Sequence, residues 1–152
     1  MRIGRFTSSE IVALTSNGKK TGEFGKPFYT YVKQTNQERK AKRSLDLNRG
    51  KRDTVWGSFV ESYLMHEAPE LIGFEYTFTP SLTVAHPKYP DMWCGSRDMF
   101  NNKRKAVVDL KCPFTLTSFC NFADCETIGD VRNYTDKGED YYWQLVSNAC
   151  IA

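Results

Sequence analysis

The chain has 152 residues, 40% of them hydrophobic and 26% charged, with a formal net charge of +3. One domain of this size buries roughly 68–70% of its unfolded surface, and the composition excludes disordered, fibrous and collagen-like classes. Five cysteines (Cys94, Cys112, Cys120, Cys125, Cys150) without a C-x-x-C pair argue against a zinc ribbon or a disulfide framework.

Residues 7–17 read as a short helix with N-cap candidates in Thr7, Ser8 and Ser9 and an apolar side in Ile11, Val12 and Leu14. A loop follows over 18–25, then a helix over 28–43 with Pro27 at its start. Two basic runs, 39–43 and 49–52, suit either a solvated face or a phosphate backbone. Trp56, Phe59, Val60, Tyr63 and Leu64 fall at helical spacing within 54–67 and predict one apolar face. Gly57 within that helix points to a close packing contact. Beyond it the pattern turns to strands, over 74–79, 81–85, 92–100 and 105–111. The last two read as an antiparallel hairpin around Asn101-Asn102-Lys103-Arg104. Pro113 closes the hairpin, and helices are predicted over 115–125 and 140–151. Helices, then strands, then helices again predict an α/β (α+β) domain. The N-terminus has no apolar leader, and no apolar run approaches the roughly 18–20 residues of a membrane span, so no signal peptide, no membrane association and a cytoplasmic setting are expected.

Asp98, Asp109 and Lys111 carry the chemistry. Alternate residues of a strand share a face, so Asp109 and Lys111 point the same way. If the hairpin pairs, Asp98 joins them from the neighbouring strand. Two carboxylates suit a hard divalent cation, which polarises a phosphoryl oxygen and lowers the pKa of a coordinated water. A lysine beside them orients that water and stabilises the charge that develops. A lone D-x-K triplet is weak, but five elements occur in order. They are Arg2-Ile3-Gly4-Arg5-Phe6-Thr7-Ser8-Ser9-Glu10, Trp56-Gly57-Ser58-Phe59-Val60-Glu61, Cys94-Gly95-Ser96-Arg97-Asp98, Asp109-Leu110-Lys111-Cys112-Pro113 and Tyr141-Tyr142-Trp143-Gln144.

In that order they resemble the lambda exonuclease (YqaJ-like) family of phage recombination nucleases, within the PD-(D/E)xK superfamily. The resemblance implies a restriction-endonuclease-like core, a mixed central β-sheet flanked by helices, with residues 1–152 forming a single nuclease domain that lacks the C-terminal part of the family fold. It implies Mg²⁺, with Mn²⁺ able to substitute, held by Asp98, Asp109 and the carbonyl of Leu110, with Glu61 serving a second metal or its water shell. Lys111 would serve the attacking water, and Gln144 would position Lys111 or the substrate. Arg2, Ser9 and Ser96 would grip a terminal 5′-phosphate. The implied activity is 5′-to-3′ hydrolysis of linear double-stranded DNA in a bacterial or phage-infected cell. The implied partners are DNA ends, a single-strand annealing protein and a homotrimeric ring. Two alternatives are an endonuclease using the same site and a non-catalytic DNA-binding or recombination-partner domain. Arg97 stands where the family has proline, and Asp109 where glutamate is more frequent. Superfamily members with an iron–sulfur cluster place one cysteine early; here none precedes Cys94.

Overall fold

The computed structural model describes residues 2–45, 52–72, 76–79 and 82–152. Most of the second basic run lies outside these residues, as do positions 74, 75 and 81 of the predicted strands. The described elements are strand β1 (Phe6–Thr7), a 3-10 helix (Ser8–Thr15), helices α1 (Lys26–Ala41) and α2 (Arg52–Ile72), strands β2 (Thr77–Phe78), β3 (Thr83–Ala85), β4 (Trp93–Ser96), β5 (Met99–Asn101) and β6 (Ala106–Val108), and helices α3 (Leu116–Ala123), α4 (Ile128–Tyr134) and α5 (Gly138–Ile151).

The strands form two small sheets, β1-β4-β3 and β2-β5-β6, of three strands each. The first is mixed, because β4 pairs parallel with β1 and antiparallel with β3. The second is antiparallel throughout. The strand expected over 92–100 is therefore two strands: it breaks at Arg97 and Asp98, where the chain passes from one sheet to the other. The hairpin itself forms, with Met99 opposite Val108 and Asn101 opposite Ala106. Its turn closes with Lys105 in the left-handed region (φ 53°).

The opening helix is 3-10, and Thr7 caps nothing with its side chain. Its hydroxyl instead lies 3.3 Å from the Tyr31 hydroxyl and 3.2 Å from Ser9 Oγ. Helix α1 starts with Pro27 in its first turn and ends with Lys42 left-handed. Helix α4 went unread in the sequence, although its capping box, Thr127 with Asp130, is a sequence-level start signal.

Helix α2 departs most from expectation. Trp56, Phe59 and Tyr63 stand exposed, at 44%, 69% and 67%. The stripe that turns inward is Val60, Glu61, Leu64 and Ala68, at the same helical spacing one notch round. A Cβ on Gly57 would meet nothing within 4 Å, so no close contact requires that glycine. Helix α2 leans on the body through Trp56, whose indole N–H donates to the Pro113 carbonyl at 3.4 Å and whose ring meets Phe114 edge-on. None of the described helices is long and apolar enough to cross a membrane.

Where β4, the 3-10 helix and α5 meet, the core is polar. Ser8, Ser147 and Asn148 are buried there beside Cys94 and Ile151. Ser8 Oγ lies 2.8 Å from Ser147 Oγ, which also accepts the Trp93 indole N–H at 2.9 Å. These bonds satisfy the hydroxyls they bury and fix the rotation of α5 against the sheet. The backbones approach so closely that a Cβ on Gly95 would strike Ser8 Oγ and Asn148 Oδ1.

Candidate active site

One residue beyond the Met99–Val108 pair, the two strands of the hairpin carry Asp98 and Asp109. Asp98 is held there by its neighbours. Its carbonyl accepts the Thr79 N–H at 3.1 Å, and its Oδ2 accepts the Leu110 N–H at 2.6 Å. The second of these bonds ties the β4–β5 bend to the strand end after β6. Lys111 shares the face of Asp109, and its Nζ donates to Asp109 Oδ2 at 2.5 Å. The Asp109 side chain is almost wholly buried, at 5% exposure.

Helix α5 closes the site from the other side. Tyr141, Gln144 and Asn148 recur at i, i+3 and i+7 and so share one face. Gln144 Oε1 accepts from Lys111 Nζ at 3.3 Å, and that ammonium lies 5.3 Å from the centre of the Tyr141 ring. Asn148 Nδ2 donates to the Ser96 carbonyl at 3.1 Å and reaches Asp109 Oδ1 at 3.5 Å. Asn148 was not singled out in the sequence. The spacing from Gln144, i and i+4, was the signal that could have found it.

Burial pushes the Asp98 carboxyl up from 3.8 to about 6, with the Leu110 N–H opposing and the negative charges of Asp109 and Glu61 adding to the rise. Glu61 thus contributes charge from the inner stripe of α2. Among the described residues, no three His, Cys, Asp or Glu side chains lie close enough together to hold a metal ion. The pair Asp98 and Asp109 still fits Mg²⁺, which is usually held by one or two carboxylates and keeps several waters. Two carboxylates set against each other, one of them short of its ordinary acidity, form a site that a cation relieves. The Cys112 thiol is pushed up by burial and by Glu61 and Asp98, which leaves it protonated and inert.

Arg2 and Ser9 meet in a cavity of about 300 Å³, where Arg2 Nη2 donates to Ser9 Oγ at 3.5 Å. Arg5, Thr7 and Tyr31 line it too. Ser96 is not part of that wall; its hydroxyl lies 3.4 Å from Thr83 Oγ1 across the β3–β4 pair. The Arg97 guanidinium lies 3.7 Å from the centre of the Phe100 ring, with Nε and Nη1 buried and unbonded. The arginine packs on an aromatic face. Arg39, from the first basic run, is structural as well. It donates to the carbonyls of Gly4, through Nε at 2.5 Å, and of Asp91, through Nη2 at 3.5 Å.

Fold and site together define a mixed α/β chain with an Asp–Asp–Lys cluster at the open end of a hairpin. No protein-family model and no curated protein matches the sequence. Solved structures do match. An alkaline exonuclease (LHK-Exo) from Laribacter hongkongensis superposes with a TM-score of 0.69 over 99% of this chain at 14% identity. Its complex with dAMP superposes with a TM-score of 0.63 over 98% of the chain at 16% identity. The chain spans 65% of the length of each.

Proposed function

We propose that the chain is a Mg²⁺-dependent exonuclease that removes nucleotides in the 5′-to-3′ direction from linear double-stranded DNA, in recombination of the phage type. The observation that carries the reading is the opposition of Asp98 and Asp109 with Lys111 hydrogen-bonded to Asp109, in a fold that superposes on an alkaline exonuclease. Asp98 and Asp109 would hold the ion with the Leu110 carbonyl, and Glu61 would act through its water shell. When bound, Mg²⁺ offsets charge on the phosphoryl oxygens and lowers the pKa of the attacking water. Lys111 then faces the scissile phosphate, orients that water and stabilises the charge gained in the transition state. Gln144 keeps the ammonium aimed, and Asn148 fixes the second oxygen of Asp109. Arg2 and Ser9 supply a cation and a hydroxyl for a terminal 5′-phosphate, which favours DNA ends over internal sites.

The test uses linear duplex DNA with 5′-phosphates, in Mg²⁺ or EDTA, beside Lys111→Ala and a covalently closed circle. Loss of the linear duplex alone, dependent on Mg²⁺ and abolished by the substitution, is the expected result. Cutting of the circle would make the enzyme an endonuclease. Binding without any cutting would make the chain a non-catalytic DNA-binding domain.

A further inference from the structure

A second cleft, of about 370 Å³, opens directly beside Lys111. Cys112, Pro113 and Phe114, the residues that follow the lysine, form one wall. Phe122 of α3 and Tyr141 of α5 form another, their rings 5.6 Å apart. Phe114 is 55% exposed, so it is not there as core packing. Helix α5 orders the whole region. Ser147 bonds Ser8, beside the Arg2–Ser9 cavity, Asn148 reaches Asp109, Gln144 bonds Lys111, and Tyr141 lines this cleft. From Asn148 to Tyr141 is about 10 Å along the helix. The Arg2–Ser9 cavity and the aromatic cleft thus flank the acidic pair in sequence along one helix. A strand with its 5′-phosphate in the first and its next phosphate at the pair leads onward into the second.

The chemistry of the wall fits a base better than a phosphate. Asp136 and Lys137 both line it, so the wall carries one acidic and one basic side chain. Thr115 Oγ1 donates to Ser118 Oγ at 2.9 Å, and Ser118 Oγ donates to Asp136 Oδ2 at 3.1 Å, so the hydroxyls are oriented toward one carboxylate that can accept an amine. The Lys137 ammonium has no partner among the described residues. Aromatic faces with a donor and an acceptor at the rim bind any base by stacking and tolerate sequence variation, as an enzyme that degrades DNA of every sequence requires. We infer that this cleft is a nucleobase subsite, taking the base of the nucleotide on the 3′ side of the scissile bond after it leaves the duplex stack. The inference rests on the nuclease reading above for the direction of the strand.

The full chain is mixed in EDTA with 5′-phosphorylated duplexes carrying 5-iodouracil at the first, second or fifth nucleotide, then irradiated and mapped by peptide mass spectrometry. Affinity for a duplex with an abasic second nucleotide is measured beside it, and Mg²⁺-dependent cleavage is scored separately. The expected result is a crosslink from the second position to Phe114, Phe122 or Tyr141 and about tenfold weaker binding of the abasic duplex, the equivalent of one base stack. Phe114→Ala, an exposed position whose folding is checked by circular dichroism, should reduce both effects. Cleavage with crosslinks elsewhere, or with equal affinity for the abasic duplex, overturns the subsite and leaves the nuclease reading standing. Crosslinks at the wall without cleavage leave the subsite standing and sink the nuclease reading; neither signal sinks both.

Discussion

With its carboxyl pushed up to about 6, Asp98 keeps a proton in the folded, metal-free chain that it would release once unfolded. Between pH 3.8 and about 6 the folded state binds more protons, so stability falls as pH rises through that window and stays lower above it. The full difference corresponds to about 3 kcal/mol. Solvent screening of a partly exposed carboxylate brings that to about 1–2 kcal/mol. Asp98→Asn keeps an acceptor for the Leu110 N–H and removes the charge. In EDTA at pH 7 the variant should melt about 2–6 °C above the parent, with the gap closing towards pH 4. Mg²⁺ should raise the melting temperature of the parent and leave the variant where it is. A parent that gains nothing from Mg²⁺ would remove the metal from the proposal. The positions of Asp98, Asp109 and Lys111 were legible in the sequence because strand alternation and hairpin register are local rules. Arg97 was not, since its place over Phe100 depends on the strand break between the two sheets.

Where β4 crosses α5 the backbones approach closely. Gly95→Ala would push a methyl group into Ser8 Oγ and Asn148 Oδ1, on two buried side chains that Ser8 Oγ and Asn148 Nδ2 tie into hydrogen bonds. Urea unfolding should show a loss of about 1–3 kcal/mol, the usual cost of overpacking. Asn148→Ala tests the same junction from the helix side. It leaves the Ser96 carbonyl and Asp109 Oδ1 without their amide donor, for about 1–2 kcal/mol. If Asn148 also fixes Asp109 for chemistry, kcat should fall more than KM rises, which a purely structural loss would not produce. Helix spacing revealed α1, α2, α3 and α5 in outline. It did not fix which side of α2 turns inward, because Val60, Leu64 and Ala68 compete with a larger aromatic stripe on the same helix. The fold turns Val60, Glu61, Leu64 and Ala68 inward, which also brings the charge of Glu61 within reach of Asp98.

Across the molecule, the site is assembled from four distant parts of the chain: the segment around Arg2 and Ser9, α2 through Glu61, the hairpin and α5. Bringing them together is what sets where a strand of DNA would be cut. The Arg2–Ser9 cavity adjoins the Ser8–Ser147 contact, one residue along α5 from Asn148 and hence from Asp109. If a terminal phosphate is held there one nucleotide from the acidic pair, the products should be 5′-mononucleotides from the first turnover. Chromatography of the earliest products decides this; dinucleotides or longer fragments would place the phosphate elsewhere. The same geometry predicts how Arg2 and the phosphate depend on each other. Removing the 5′-phosphate from the DNA should lower kcat/KM for the parent by at least about tenfold, the effect of one charge-assisted contact of about 1.5–3 kcal/mol. Arg2→Ala should lower it by a similar factor on phosphorylated ends. The two losses should not add, because each deletes one side of a single interaction. Full additivity in that cycle would mean that Arg2 grips some other part of the substrate, and the cavity would lose its claim on the DNA end.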